Sequence, residues 1–319
     1  MVVGPPGSSQ MSTHGGEKST SSQRNDRTIS IGELMGTKTA SEERKFRLTP
    51  EERSSWNENG YFVRFNVFTK EENDVLRQIA DDIAVGKRPF PRGNIDQNAL
   101  VRDEKVEASG IHAMHKIHHV SCYCPEFLAR VRDWRLTDPI VDLLGPDLLG
   151  LNNLYIWKAP KIGLGFPWHQ DKWYFNHQYR TEMTVGTWTA IDTADKDNGC
   201  LYVIPGSHKY GILKHEDLEG SQQNEFKIAR DANDEDGVAV EVPLGAVVWF
   251  NNQLLHKSTD NHSLRFRRCN VAHYIGANAE RIPKKDGKNI RPVMWITGET
   301  YSEKMEPVYR DVLPISDSD

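Results

Sequence analysis

The chain has 319 residues, 37% of them hydrophobic, with 40 basic and 45 acidic side chains for a formal net charge of −5. That length supplies one large domain or two small ones with a sizeable core, and the slightly acidic balance lacks the basic footprint of a nucleic-acid-binding protein. The longest apolar runs, such as 245–250, are strand-sized and far from the roughly 20 residues that span a bilayer, so no membrane partner is expected.

Residues 1–44 are rich in Gly, Ser, Thr, Lys and Glu with few apolar anchors. Such a segment buries too little to offset its ordering entropy and is predicted to be a disordered tail, leaving 45–319 as a single domain. From Leu48 the texture changes. Thr49-Pro50-Glu51-Glu52 is a helix start, with Thr49 as N-cap, and Asn59-Gly60 a stop. Tyr61–Phe65 reads as a strand. Thr69-Lys70-Glu71-Glu72 caps a second helix with Val75, Leu76, Ile79 and Ile83 on one face. A third amphipathic helix is predicted over Pro125–Leu144.

Beyond Leu148 short apolar stretches recur at 150–158, 182–192, 200–204, 238–242, 246–251 and 267–275, separated by Gly, Pro, Asn or Asp. Regularly punctuated strands predict a sandwich or barrel, and helices followed by strands an α+β chain with a β core over about 148–276. The cysteines, Cys122, Cys124, Cys200 and Cys269, form neither a CxxC pair nor a dense framework. With no charged-then-apolar leader and no peroxisomal tripeptide, cytoplasmic residence is the default expectation.

Chemistry concentrates at His169-Gln170-Asp171. On a strand, residues i and i+2 share a face, so imidazole and carboxylate are presented together. A second histidine from a distant strand would complete a facial triad that leaves iron positions open. The triplet alone is weak, because this composition yields roughly two H-x-[DE] triplets by chance. The other, His215-Glu216-Asp217, lies in a polar stretch that reads as a solvated loop, whereas aromatics flank the first. His256 follows the strand 246–251, and the chain between it and His169 has room for roughly four or five strands. Arg265-Phe266-Arg267-Arg268 leads the next strand, where an inward guanidinium can be buried only with an anionic partner. A dicarboxylate matches that fork geometry.

These residues resemble the phytanoyl-CoA dioxygenase family. The matching pieces are Glu58–Val63, His169-Gln170-Asp171 with Tyr174-Phe175, Trp188-Thr189-Ala190, Asn198-Gly199-Cys200-Leu201, Ile204–Lys209, and His256 followed by Asn261 and Arg267. The resemblance runs from about residue 45 to about 276. It implies a double-stranded β-helix (jelly-roll, cupin-like) core with flanking N-terminal helices. It implies Fe(II) held by His169, Asp171 and His256. Of the three arginines it selects Arg267, the eleventh residue after the distal histidine, to bind the co-substrate 2-oxoglutarate, accompanied by Ser258, Lys116 and Trp188. The implied reaction consumes O2 and 2-oxoglutarate, releases succinate and CO2, and hydroxylates an unactivated C–H bond; desaturation or cyclisation uses the same iron.

The segment 158–165 departs from the peroxisomal pattern and no peroxisomal signal is recognisable, which favours a small-molecule metabolite over a fatty acyl-CoA as substrate. The alternative of another class is a non-catalytic jelly-roll binding protein, which has no need of all four of His169, Asp171, His256 and Arg267. The remaining polar residues carry blander expectations. The spacing of His112, His115, His118 and His119 fits no single face, so a rim or core role is expected. His208 is expected to be structural. His273 shares the parity of Arg267 and is expected as pocket wall or core. Trp173, Tyr174 and Phe175 are expected to pack, and Lys172 and Arg180 to be solvated.

Overall fold

The computed structural model describes residues 46–218, 226–282 and 291–315, so the predicted tail lies outside the described residues. Helix α1 (Pro50–Asn59) begins at a reciprocal cap in which Thr49 Oγ1 accepts from Glu52 N and the Glu52 carboxylate accepts from Thr49 N; Gly60, at φ 84°, closes it. Thr69 and Glu72 repeat the device at α2 (Lys70–Ala84), which buries Leu76, Ala80 and Ile83.

The helix expected over 125–144 is instead two, α3 (Pro125–Arg132) and α4 (Trp134–Leu144). Asp133 leaves helical geometry (φ −58°, ψ 127°) and its carboxylate accepts from Arg135 N at 2.9 Å, making it the N-cap of α4. Apolar periodicity continues across this break, which is why the pattern alone reads as one helix.

Eleven strands matter here: β1 (Tyr61–Arg64), β2 (Met114–His118), β3 (Leu148–Lys158), β4 (Phe166–His169), β5 (Thr184–Ala190), β6 (Leu201–Val203), β7 (Val238–Val240), β8 (Val247–Asn251), β9 (His256–Ser258), β10 (Arg267–Gly276) and β11 (Val293–Thr297). The six strands expected after Leu148 are present within two residues of their predicted ends. The large sheet runs β1-β8-β5-β10-β3-β11, with Val308–Tyr309 parallel to β11 at its edge and β2 paired to the far half of β3. A second, antiparallel sheet runs β7-β6-β9-β4. Strands β1 and β11 lie outside the expected 148–276 core yet belong to the large sheet.

The large sheet is covered on both faces. Ile156, Trp188, Val248 and Val271 pack with Leu201, Val203 and Val240 of the second sheet. On the other face Trp249 donates to Leu136 O at 3.1 Å and Tyr274 donates to Val131 O at 3.0 Å, tying the sheet to the helices. All seven residues of β5 are consequently buried, as expected of a central strand covered on both faces, which has no solvent-facing side to alternate with. The fold is a mixed α+β arrangement built on one large sheet. Among the described residues no helix is long and apolar enough to cross a membrane, and the four cysteines are free and buried.

Candidate metal centre and anion pocket

Sheet register brings the two histidines together. His256 of β9 lies directly opposite His169 of β4, and direct cross-strand neighbours project from the same face; their ring centroids are 4.2 Å apart. Strand parity does not place Asp171, contrary to the sequence expectation. The strand ends at His169, Gln170 is extended, and Asp171 opens the helical turn Asp171–Phe175. The turn carries the carboxylate back to the imidazoles, with Oδ1 3.5 Å from His169 Nε2 and Oδ2 3.5 Å from His256 Nε2. One donor atom from each of the three residues lies within 4.8 Å of the others.

The protonation pattern identifies what this cluster lacks. His169 Nδ1 lies 2.7 Å from Pro167 O and His256 Nδ1 2.9 Å from Leu254 O. A carbonyl only accepts, so both rings carry their proton on Nδ1 and turn a bare Nε2 lone pair toward Asp171. Burial pushes His256 down to about 4, keeping it neutral. Burial alone would raise Asp171, but the imidazole of His273, by its charge and its hydrogen bond, holds the carboxyl well below the usual carboxylate range. Two lone pairs thus face an ionised carboxylate, an arrangement of acceptors against acceptors that a cation between them resolves. Two neutral imidazoles and one carboxylate suit a divalent transition metal and leave coordination positions for other ligands.

Supporting contacts hold this geometry. Gln170, fully buried, donates through Nε2 to Gly211 O (2.8 Å) and Gln253 O (2.7 Å) and accepts from Leu213 N (2.8 Å). His215 is not the solvated residue the sequence suggests. It is buried, stacks on Trp173 with centroids 5.2 Å apart, and its Nε2 accepts from Gln170 N at 3.0 Å. With Nδ1 at Leu213 O, no lone pair is left for a metal. The local composition there is polar, and only the fold shows that the loop packs against the centre.

His273 on β10 reaches across from the large sheet, its Nε2 2.8 Å from Asp171 Oδ2. The carboxylate is ionised, so this nitrogen donates. Outer partners of this kind orient a ligand and tune its basicity. Replacing His273 with Phe keeps the ring volume and removes the donor. An iron titration is expected to show affinity weakened roughly 10- to 100-fold; unchanged affinity would mean that the turn alone fixes Asp171.

Of the three neighbouring arginines, Arg265 pairs with Asp195 at 2.6 Å and Arg268 with Asp192 at 2.7 Å. Arg267, 2% exposed, contacts only neutral groups among the described residues: Nε donates to Gly199 O and Nη1 to Cys269 Sγ, each at 3.0 Å, and its guanidinium lies 5.7 Å from the Trp188 ring centroid. Ser258 accepts from Lys158 Nζ at 2.7 Å. Lys158, fully buried opposite Arg267, is the residue sequence reasoning missed. Its only signal is a lysine ending the otherwise apolar stretch Leu154–Lys158.

Lys116 is also buried, with Nζ 3.3 Å from Asp96 Oδ2 and 4.6 Å from the Phe226 ring centroid, so the protein itself supplies a carboxylate there. Phe226 packs on Phe166, which in turn lies beside His169. His115 stacks on Phe166 with Nε2 buried and unpartnered. Burial, then the charges of Lys116, Lys158 and Arg267, push it well below its ordinary value. Of the other histidines of that group, His112 is exposed, His118 pairs with Asp96 at 2.9 Å, and His119 keeps its Nδ1 buried. Of the aromatic run, Phe175 packs in the core, whereas Tyr174 faces His169 with centroids 6.2 Å apart. Lys172 is buried, not solvated as expected, its Nζ donating to Thr181 O (2.9 Å) and Glu182 O (2.5 Å); Arg180 is exposed.

Comparison with known proteins bears on this geometry. The chain is 28% identical over 250 residues to the peroxisomal phytanoyl-CoA dioxygenase of Bos taurus, covering 74% of this chain and 71% of that protein. Its fold is similar to the crystal structure of EctD from S. alaskensis with 2-oxoglutarate and 5-hydroxyectoine (TM-score 0.60, 17% identity, 91% of this chain and 97% of that one). It is likewise similar to EctD with bound Fe (TM-score 0.56, 20% identity, 72% and 77%). The sequence profile of phytanoyl-CoA dioxygenase (PhyH) matches residues 56–269, which include His169, Asp171, His256 and Arg267. The chain belongs to the phytanoyl-CoA dioxygenase family and is an iron- and 2-oxoglutarate-dependent oxygenase.

Proposed function

We propose that His169, Asp171 and His256 hold the iron, that Arg267 and Ser258 anchor the far carboxylate of 2-oxoglutarate beside Trp188, and that the enzyme oxidises a C–H bond of a small-molecule metabolite. The observation that carries this reading is the pair of bare Nε2 atoms facing Asp171, with a buried guanidinium that has no carboxylate partner among the described residues on the same sandwich. We further read the two sheets as the halves of a double-stranded β-helix. Free, buried cysteines accord with a reducing compartment such as the cytosol.

When bound, iron supplies the redox chemistry that couples O2 and 2-oxoglutarate decarboxylation, with release of succinate and CO2, to substrate oxidation. The chain's own residues perform the rest. The Nδ1 hydrogen bonds of His169 and His256 orient both rings with Nε2 toward the metal position, and burial keeps His256 neutral. Asp171 contributes the single negative charge of the ligand set and is oriented by His273. Arg267 fixes one end of the co-substrate, which sets where its 2-oxo acid end meets the metal. Phe166, Phe226 and Tyr174 line the approach and exclude water, and Lys116, steadied by Asp96, holds a positive edge beside Phe226.

The test is reconstitution with Fe(II) and 2-oxoglutarate without oxygen, followed by aeration. Succinate is expected to form slowly alone and faster with members of a metabolite library that includes acyl-CoA thioesters, the hydroxylated product being read by mass spectrometry. Absence of succinate under every condition would reject the reading.

A further inference from the structure

Lys158 ends β3, where the register sets it opposite Arg267 of β10. The two side chains are 0% and 2% exposed. Like charges directly opposite on an antiparallel pair repel, and burying even one unpaired charge is unfavourable. Yet the partners of both are neutral among the described residues: Ser258 Oγ and Thr259 O for Lys158, Gly199 O and Cys269 Sγ for Arg267. Burial and the facing Arg267 push the Lys158 ammonium well below its ordinary value; Asp260 pulls the other way, but its Oδ1 accepts from Gly165 N at 2.6 Å. The rings nearest these charges, Phe166 and Trp188, each lie 5.7 Å away by centroid and compensate only weakly.

The surroundings are shaped for this lysine. A Cβ on Gly163 would sit 2.7 Å from Lys158 Cα and Cβ, and one on Gly199 2.4 Å from Thr259 O and 3.2 Å from Lys158 Cδ. Both glycines are therefore needed where the stem and its acceptor pass. The donors then remain incomplete. An ammonium has three protons, of which Ser258 and Thr259 take two. Because Ser258 Oγ accepts from Lys158, its own proton points elsewhere. Arg267 keeps its Nη2 protons after serving Gly199 and Cys269. An ammonium, a hydroxyl and a guanidinium thus converge with protons to donate and no anion hydrogen-bonded to them among the described residues.

We propose that Lys158 is a charge-bearing anchor of the co-substrate, donating to the far carboxylate of 2-oxoglutarate together with Ser258 and Arg267. The proposal rests on the reading of this pocket as the 2-oxoglutarate site. Its second cation adds selectivity for a 2-oxo acid with a distal carboxylate over one without.

Anaerobic calorimetry on the iron-loaded protein tests this with 2-oxoglutarate and with 2-oxobutyrate, which lacks the distal carboxylate. Lys158→Met is expected to bind 2-oxoglutarate about 30-fold or more weakly than the wild type, the lower end of what breaking a buried charge contact costs. Its 2-oxobutyrate affinity should stay within about threefold of the wild type, far less than that loss. Lys158→Arg keeps the charge and should bind 2-oxoglutarate more tightly than Lys158→Met. Equal weakening for both acids would show a merely structural lysine and overturn the proposal, as would wild-type affinity for 2-oxoglutarate in Lys158→Met. Failure of the wild-type protein itself to bind 2-oxoglutarate would overturn the reading of the pocket, and with it this assignment.

Discussion

Asp171→Ala is expected to abolish iron retention and succinate formation while leaving the protein folded. Asp171 is the only anionic member of the proposed ligand set, and its carboxylate oxygens each lie 3.5 Å from a histidine Nε2. Without it, His169 and His256 offer two neutral donors and no charge to offset a divalent ion. His273 also loses the acceptor for its Nε2 proton. The apo fold should tolerate the change. The imidazoles keep their Nδ1 hydrogen bonds to Pro167 O and Leu254 O, and Gln170 keeps its own backbone and side-chain partners. Metal analysis after desalting, a thermal unfolding scan and a succinate assay together check this. Wild-type-like succinate release from Asp171→Ala would sink the assignment of the centre.

Arg267→Ala should have the second largest effect, on co-substrate binding. The guanidinium is fully enclosed, aimed by Gly199 O and Cys269 Sγ, and a carboxylate left opposite a methyl group would be desolvated without its partner. Truncating one side of a buried charge contact costs about 2–5 kcal/mol, equivalent to roughly 30- to several-thousandfold in affinity. The loss should fall on the Michaelis constant for 2-oxoglutarate. kcat at saturation should change less, because this contact is made in the ground state as well as in the transition state. An unchanged Michaelis constant would remove Arg267 from the pocket. Arg265 and Arg268 serve as controls, since Asp195 and Asp192 already neutralise them and their replacement should leave co-substrate binding near the wild-type value.

Much of the frame was legible because it is written locally. The caps Thr49/Glu52 and Thr69/Glu72 act over three residues, and Gly60 closes its helix through its own backbone angle. The main strands were legible as apolar stretches between turn residues. The break at Asp133 was not, since an acid within an amphipathic pattern reads equally as a solvated helical position until its carboxylate is seen on Arg135 N. Strands β2 and β11 went unpredicted, and β4 and β9 were expected only as the strands that carry the two histidines, without bounds. They are short or polar, and β4 and β9 carry His169, His256 and Ser258, residues placed for chemistry instead of core packing.

By itself the sequence named the residue types and their order: a His-x-Asp triplet among aromatics, a later histidine after a strong strand, and an arginine cluster leading the next. It could not say how Asp171 reaches the imidazoles, that Asp195 and Asp192 take Arg265 and Arg268, or that Lys158 faces Arg267 and His215 packs on Gln170. Those facts depend on register between strands far apart in the chain, His256 against His169 and Arg267 against Lys158. They depend too on a turn after His169 that overrides the two-residue alternation of a strand. Register and turn are set by the packing of whole sheets, and shifting a strand by one residue turns every side chain to the other face. The donor set was therefore readable in one dimension, whereas its assembly, its charge balance and its unpaired cations were decided only in three.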